Sequence, residues 1–265
     1  MERKAGSITL KIVVAVTFIA MIVINFLAQS LPINGVTPGE VSDSLPNLFA
    51  PAGWTFLIWG LIYLTLAAFT VYQFGFTKRY RDRPALDKVR VLFVLSSLSN
   101  IAWIFSWHYG YFVWSILLMI VILVALILIN LTLDGERLMR AEKIVVRLPF
   151  SLYFGWITVA TVANATALLV SVGWDFFGLS EQAWAVAILI AAMLIGTATT
   201  LRRTDMTYGL VLIWAYVGIL FKHLSANGFA GRYTAVIATV IACLAIYLSA
   251  EGFVLYRSAK QIPSA

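Results

Sequence analysis

The chain has 265 residues, of which 62% are hydrophobic and only 12% charged, with a formal net charge of +7. A water-soluble domain carries about a quarter of its residues as charges, so this composition excludes a soluble globular protein and places most of the chain in lipid. The single cysteine, Cys243, excludes both a disulfide framework and a cysteine-based metal cluster, and reads as a small core hydrophobe.

Lipid offers no partners to backbone N–H and C=O groups, so only helices and closed barrels cross it. Long unbroken apolar runs, as opposed to alternating ones, select helices. In chain order the runs predict spans at 8–30, 52–76, 88–107, 110–133, 144–172, 183–201, 207–225 and 233–256, an all-α polytopic bundle. The first run follows Glu2, Arg3 and Lys4, is longer than a signal-peptide core, and reads as a retained span. Residues 31–51, with Pro32, Pro38, Pro46 and Pro51, form the longest outer connection and are expected to lie as a lid over the helix ends.

Basic residues sort to one side. Arg3, Lys4 and Lys11 precede span one, and Lys78, Arg79, Arg81, Arg83, Lys88 and Arg90 follow span two. Arg137, Arg140, Lys143 and Arg147 follow span four, Arg202 and Arg203 follow span six, and Arg257 and Lys260 lie at the end. Positive charge marks the cytoplasmic face, which puts both termini inside; the opposite side holds Glu40, Asp43, Asp175 and Glu181. The net charge is thereby accounted for by topology, and no nucleic-acid module accompanies it.

Polar and aromatic residues align on helix faces. Asn100, Trp103 and Trp107 share one side of span three; Tyr153, Trp156, Ala160 and Asn164 form a stripe on span five; Trp59 and Tyr63 stand one turn apart on span two, with Trp54 at its outer mouth. Interfacial belts account equally for Trp54, Trp107, Trp114, Trp174 and Trp184, and interhelical hydrogen bonding accounts equally for the asparagines.

Phe49-Ala50-Pro51-Ala52-Gly53-Trp54-Thr55-Phe56-Leu57-Ile58-Trp59-Gly60-Leu61-Ile62-Tyr63 resembles the second-helix signature of the tryptophan-rich sensory proteins, the TspO/MBR or translocator-protein family. Ser99-Asn100-Ile101-Ala102-Trp103 resembles the family's third-helix motif, Gly110-Tyr111 its fourth-helix opening, and Trp156 with Asn164 its fifth-helix pair. The resemblance covers residues 8–172. It implies a five-helix domain over 1–173, with 174–265 adding three spans that short members lack. It further implies a pocket for a planar hydrophobic ligand, porphyrin- or sterol-like, lined by Trp54, Trp59, Tyr63, Asn100, Trp103, Trp107, Tyr153, Trp156, Ala160 and Asn164. No cofactor is required, although a porphyrin or haem-like ligand is admitted. The partners expected are membrane lipids, a hydrophobic small molecule and a second copy of the chain. A bacterial plasma membrane is the expected location. Ser115 stands where many members carry an aspartate, and Pro149 lies further upstream of Trp156 than the usual proline.

No catalytic constellation emerges, so the chain reads as a binder and not an enzyme. His108 and His223 have no local carboxylate or thiol companions for zinc, and no nucleophile elbow, Walker loop or dinucleotide fingerprint is present. Glu251 is the one acidic residue set inside a span and is expected to pair with Arg257 or reach the interface, while Lys222 is expected to snorkel. A secondary transporter of a small hydrophobic solute is the alternative reading, and a structural membrane subunit a third.

Overall fold

The computed structural model of the protein describes residues 2–31, 33–45, 47–75 and 83–260. Pro32, Pro46, Lys78, Arg79 and Arg81, together with the side chains of Arg3 and Lys4, lie outside the described residues. Every regular element described is helical: α1 (Glu2–Ser30), α2 (Pro38–Asp43), α3 (Ile58–Tyr72, entered through a tight turn at Gly53–Leu57), α4 (Pro84–His108), α5 (Phe112–Asp134), α6 (Arg140–Glu142), α7 (Leu148–Ser171), α8 (Glu181–Arg203), α9 (Met206–Leu224) and α10 (Thr234–Lys260). Eight helical segments among them are long and apolar enough to cross a bilayer. The chain is therefore an all-helical integral membrane protein.

Several spans begin earlier than their apolar runs, because charged residues can form a first helical turn outside the hydrocarbon. α4 opens with Pro84 in its first turn and Asp87 close behind, where proline's missing N–H costs nothing and an acidic side chain meets the positive helix end. Span five opens with α6 and a wider π turn at Lys143–Arg147, in which the Leu148 N–H donates to Lys143 O. Pro149, which has no N–H to give, follows directly. Between α4 and α5 the chain reverses at Gly110 with φ at +72°, and the Tyr111 N–H donates back to Ser106 O at 2.8 Å.

The chain forms two compact units, Met1–Ser44 with Ile58–Ile157, and Leu45–Leu57 with Thr158–Ala265. In the first, α4 packs on α1 and α5. Phe18, Phe69, Phe93 and Phe150 cluster within it, with ring centroids between 4.9 and 5.9 Å apart in the contacting pairs. Below them Glu142 is fully buried and satisfied: Arg83 Nη2 lies 2.6 Å away, the Tyr72 hydroxyl donates at 3.3 Å, and the Met139 N–H donates at 2.9 Å. In the second unit α10 packs on α8 and α9. Tyr216 meets Tyr247 edge to face at 5.1 Å and donates its hydroxyl to Leu189 O at 2.7 Å. Cys243 is buried, as a small core residue should be.

The outer connection is fastened within each unit. In the first, Asn34 Nδ2 donates to His108 O at 3.0 Å and Trp107 Nε1 donates to Pro38 O at 3.1 Å. In the second, the Ala52 N–H donates to Gly218 O at 3.1 Å, Trp214 Nε1 donates to Thr55 O at 2.9 Å, and His223 Nε2 lies 2.9 Å from Leu48 O. The helix α2 within this connection is closed by a capping box: the Thr37 N–H and hydroxyl both donate to Glu40 Oε2, and the Glu40 N–H returns to Thr37 Oγ1. Those bonds, led by the backbone one, hold the Glu40 carboxyl below its ordinary value.

Candidate ligand-binding site

The i, i+4 spacing on α3 stacks Trp59 on Tyr63, with centroids 5.3 Å apart and planes 21° apart. From α7, Tyr153 and Trp156 present their faces to the same indole, at 5.8 Å and 62° and at 6.2 Å and 80°. These are the offset and edge-to-face geometries that the aromatic quadrupole favours. Tyr153 and Trp156 are buried, whereas Trp59 and Tyr63 are half-buried. The cluster therefore has one fully buried pair of rings and one partly exposed pair.

A chain of amides runs into this cluster. Asn25 Nδ2 donates to Asn100 Oδ1 at 2.7 Å, and Asn100 Nδ2 donates to the Tyr153 hydroxyl at 3.5 Å. Asn100 and Tyr153 have no exposed surface. Asn25 did not figure among the expected site residues, yet it is the only amide in the apolar run of span one before Gln29. An amide in such a run must find a partner on another helix, and that was the available signal.

One turn outward on α4, Trp103 and Trp107 stack on each other at 5.9 Å and 24°, and Trp107 meets Phe112 edge to face at 5.5 Å. The Trp103 indole N–H and the Tyr63 hydroxyl are buried without an acceptor among the described residues. Buried donors almost always find one, so each of these two is a point where an accepting group would be welcome.

Not every expected lining residue joins this cluster. Trp54 belongs to the second unit, where its ring packs on Trp214 at 4.9 Å and on Phe221 at 5.8 Å. Ala160 and Asn164 continue the α7 stripe but are also counted in the second unit. Asn164 is buried there and Ala160 half-buried.

The remaining ionisable candidates resolve differently. His108 Nδ1 lies 2.7 Å from Ile104 O, and the His223 ring sits against Phe229 at 4.7 Å, so each ring serves packing and a main-chain carbonyl. Lys222 Nζ rests 5.9 Å from the Phe229 ring centroid. The expectation for Glu251 is corrected: it is buried, and neither carboxylate oxygen has a hydrogen-bond partner among the described residues. Arg257 instead lies over the Phe253 ring at 5.4 Å. Residue 257 is six positions on from 251, which on a helix turns the two side chains to different faces.

Comparison with known proteins places the chain in a family. A model of the TSPO-like protein family matches residues 11–251, a range that includes α8, α9 and most of α10. No curated protein and no solved structure matches the chain. Membership together with the aromatic cluster points to a membrane ligand-binding or sensory role. An eight-span helical chain, matched by that model over nearly its whole length, belongs to the TSPO-like family.

Proposed function

We propose that the protein binds a planar hydrophobic ligand, porphyrin- or sterol-like, on the aromatic face made by Trp59, Tyr63, Tyr153 and Trp156. The observation that carries this reading is the convergence of three rings, Tyr63, Tyr153 and Trp156, on the Trp59 indole, beside an amide chain that ends on Tyr153. Rigid rings bury flat apolar surface at small entropic cost, and a few polar groups set the orientation. The unpaired donors on Tyr63 and Trp103 favour a ligand with hydrogen-bond acceptors at its edge, such as carboxylate or carbonyl oxygens. Residues 33–38, tied to the outer end of α4, cover the route from the outer side. The proposed setting is a bacterial plasma membrane, with no cofactor required for the fold.

Titrating protoporphyrin into the purified protein in detergent tests this directly. Intrinsic tryptophan fluorescence is expected to fall saturably at micromolar ligand, and Trp156→Ala is expected to weaken binding by about ten-fold, the effect of losing roughly 1.4 kcal/mol of contact. Absence of saturable quenching in the parent protein would remove the reading.

A further inference from the structure

Glu251 sits two to three turns before the end of α10, against the start of α9, within the second unit. It is 6% exposed, and both carboxyl oxygens are buried with no partner. The approach is made possible by Gly209: a Cβ there would overlap Glu251 Oε1 and come within 3.0 Å of the carboxyl carbon and of Thr200 Cγ2. The α9 backbone thus lies directly under the acid.

The groups around it have spent their hydrogens elsewhere. Thr200 Oγ1 donates to Gly196 O at 3.0 Å, the Tyr208 hydroxyl to Thr158 Oγ1 at 3.3 Å, and the Tyr247 hydroxyl to Ala192 O at 3.3 Å. The N–H groups of Tyr208 and Gly209 are taken by Asp205, through its side chain at 3.2 Å and its carbonyl at 3.3 Å. Asp205 itself is buried and acts on Glu251 electrostatically, and Arg203, in the last turn of α8, acts on Tyr208. An ionised carboxylate accepts only, and among the described residues neither Glu251 oxygen has a hydrogen-bond donor. A protonated carboxyl carries its own donor and fits a neighbourhood of acceptors.

We propose that Glu251 is an exchangeable proton site at the cytoplasmic end of the second unit, built by the Gly209 gap and the Asp205 cap. A buried carboxyl in a membrane helix is retained where a proton is held or passed on. This site shares no residue with the aromatic cluster, so the two stand or fall separately.

A lipid-soluble carbodiimide, dicyclohexylcarbodiimide, tests it on the full chain in liposomes. The reagent needs the acid form: the carboxyl proton moves to one nitrogen, the oxygen bonds the central carbon, and the adduct rearranges to a stable N-acylurea without loss of atoms. Peptide mass spectrometry is expected to find the adduct at Glu251, with labelling that declines as pH is raised and is unaffected by sodium ions. The Glu251→Gln variant is expected to lose the adduct, to melt no lower than the parent, and to keep its porphyrin-dependent quenching. A parent protein unlabelled at Glu251, or labelled equally at every pH, would overturn the proposal. Protection by sodium would overturn it too, since an alkali cation and not a proton would then hold the site. A lower melting temperature for the glutamine variant would mean that the carboxylate serves packing.

Discussion

A hydrogen in place of a methyl group decides how close Thr55 comes to α9. A Cβ on Gly218 would overlap Thr55 Oγ1 and lie 2.9 and 3.0 Å from its Cγ2 and Cβ, whereas a Cβ on Gly252 would meet nothing within 4 Å. Helix propensity alone favours alanine at both positions. Gly218→Ala is therefore expected to destabilise by about 1–3 kcal/mol through overpacking, and Gly252→Ala to stabilise by about 0.5–1 kcal/mol, both read from thermal melts in detergent. At this scale the sequence was informative where spacing was periodic. Trp59, Tyr63, Tyr153 and Trp156 were legible because helical steps of three and four put them on defined faces, and they meet. Trp54 was harder, because the chain between 53 and 57 is a tight turn and not α-helix, so counting residues forward from Trp54 does not give its direction. Glu251 was misread because distance from the helix end says nothing about which face a side chain occupies, and its face is the one against Gly209.

Elements in this protein are closed by short polar devices at their ends and held by packing in their middles. The capping box of α2 is the clearest, and it carries a pH dependence. The Glu40 carboxyl has a lower pKa folded than free, so its contribution to α2 is complete above the free value and disappears as pH falls through the folded one. Hydrogen exchange at the amides of residues 40–44 is expected to be faster in Glu40→Gln than in the parent at neutral pH, with the difference vanishing in acid. Equal exchange at neutral pH would show that the box does not hold the helix. Span positions were readable from hydropathy because lipid tolerates no unpaired backbone. Their starts were not, since α4 and α6 begin in charged residues that no apolar window includes. The π turn before Pro149 had no sequence marker beyond the proline itself.

For the molecule as a whole, the basic residues fix which side is which. In a Cys243→Ala background, Arg137→Cys is expected to resist a membrane-impermeant maleimide in intact cells, while Asp175→Cys, exposed on the other side, is expected to react. The reverse pattern would invert the topology. The native cysteine, 2% exposed, gives little background. The eight crossings were visible in composition, but the division into two compact units was not, because one of its three breaks falls inside α7, where no loop or shift in residue type signals it. At each unit the covering segment is gripped by its peptide groups: Pro38, Leu48 and Thr55 offer carbonyls to Trp107, His223 and Trp214, while the Asn34 side chain adds a bond to the His108 carbonyl of α4. Every residue has a carbonyl, so at Pro38, Leu48 and Thr55 the grip does not depend on which side chain stands there. The cover is free to change its outward chemistry, and with it what the membrane surface presents to an arriving molecule, while the anchoring indoles and imidazole beneath keep it in place.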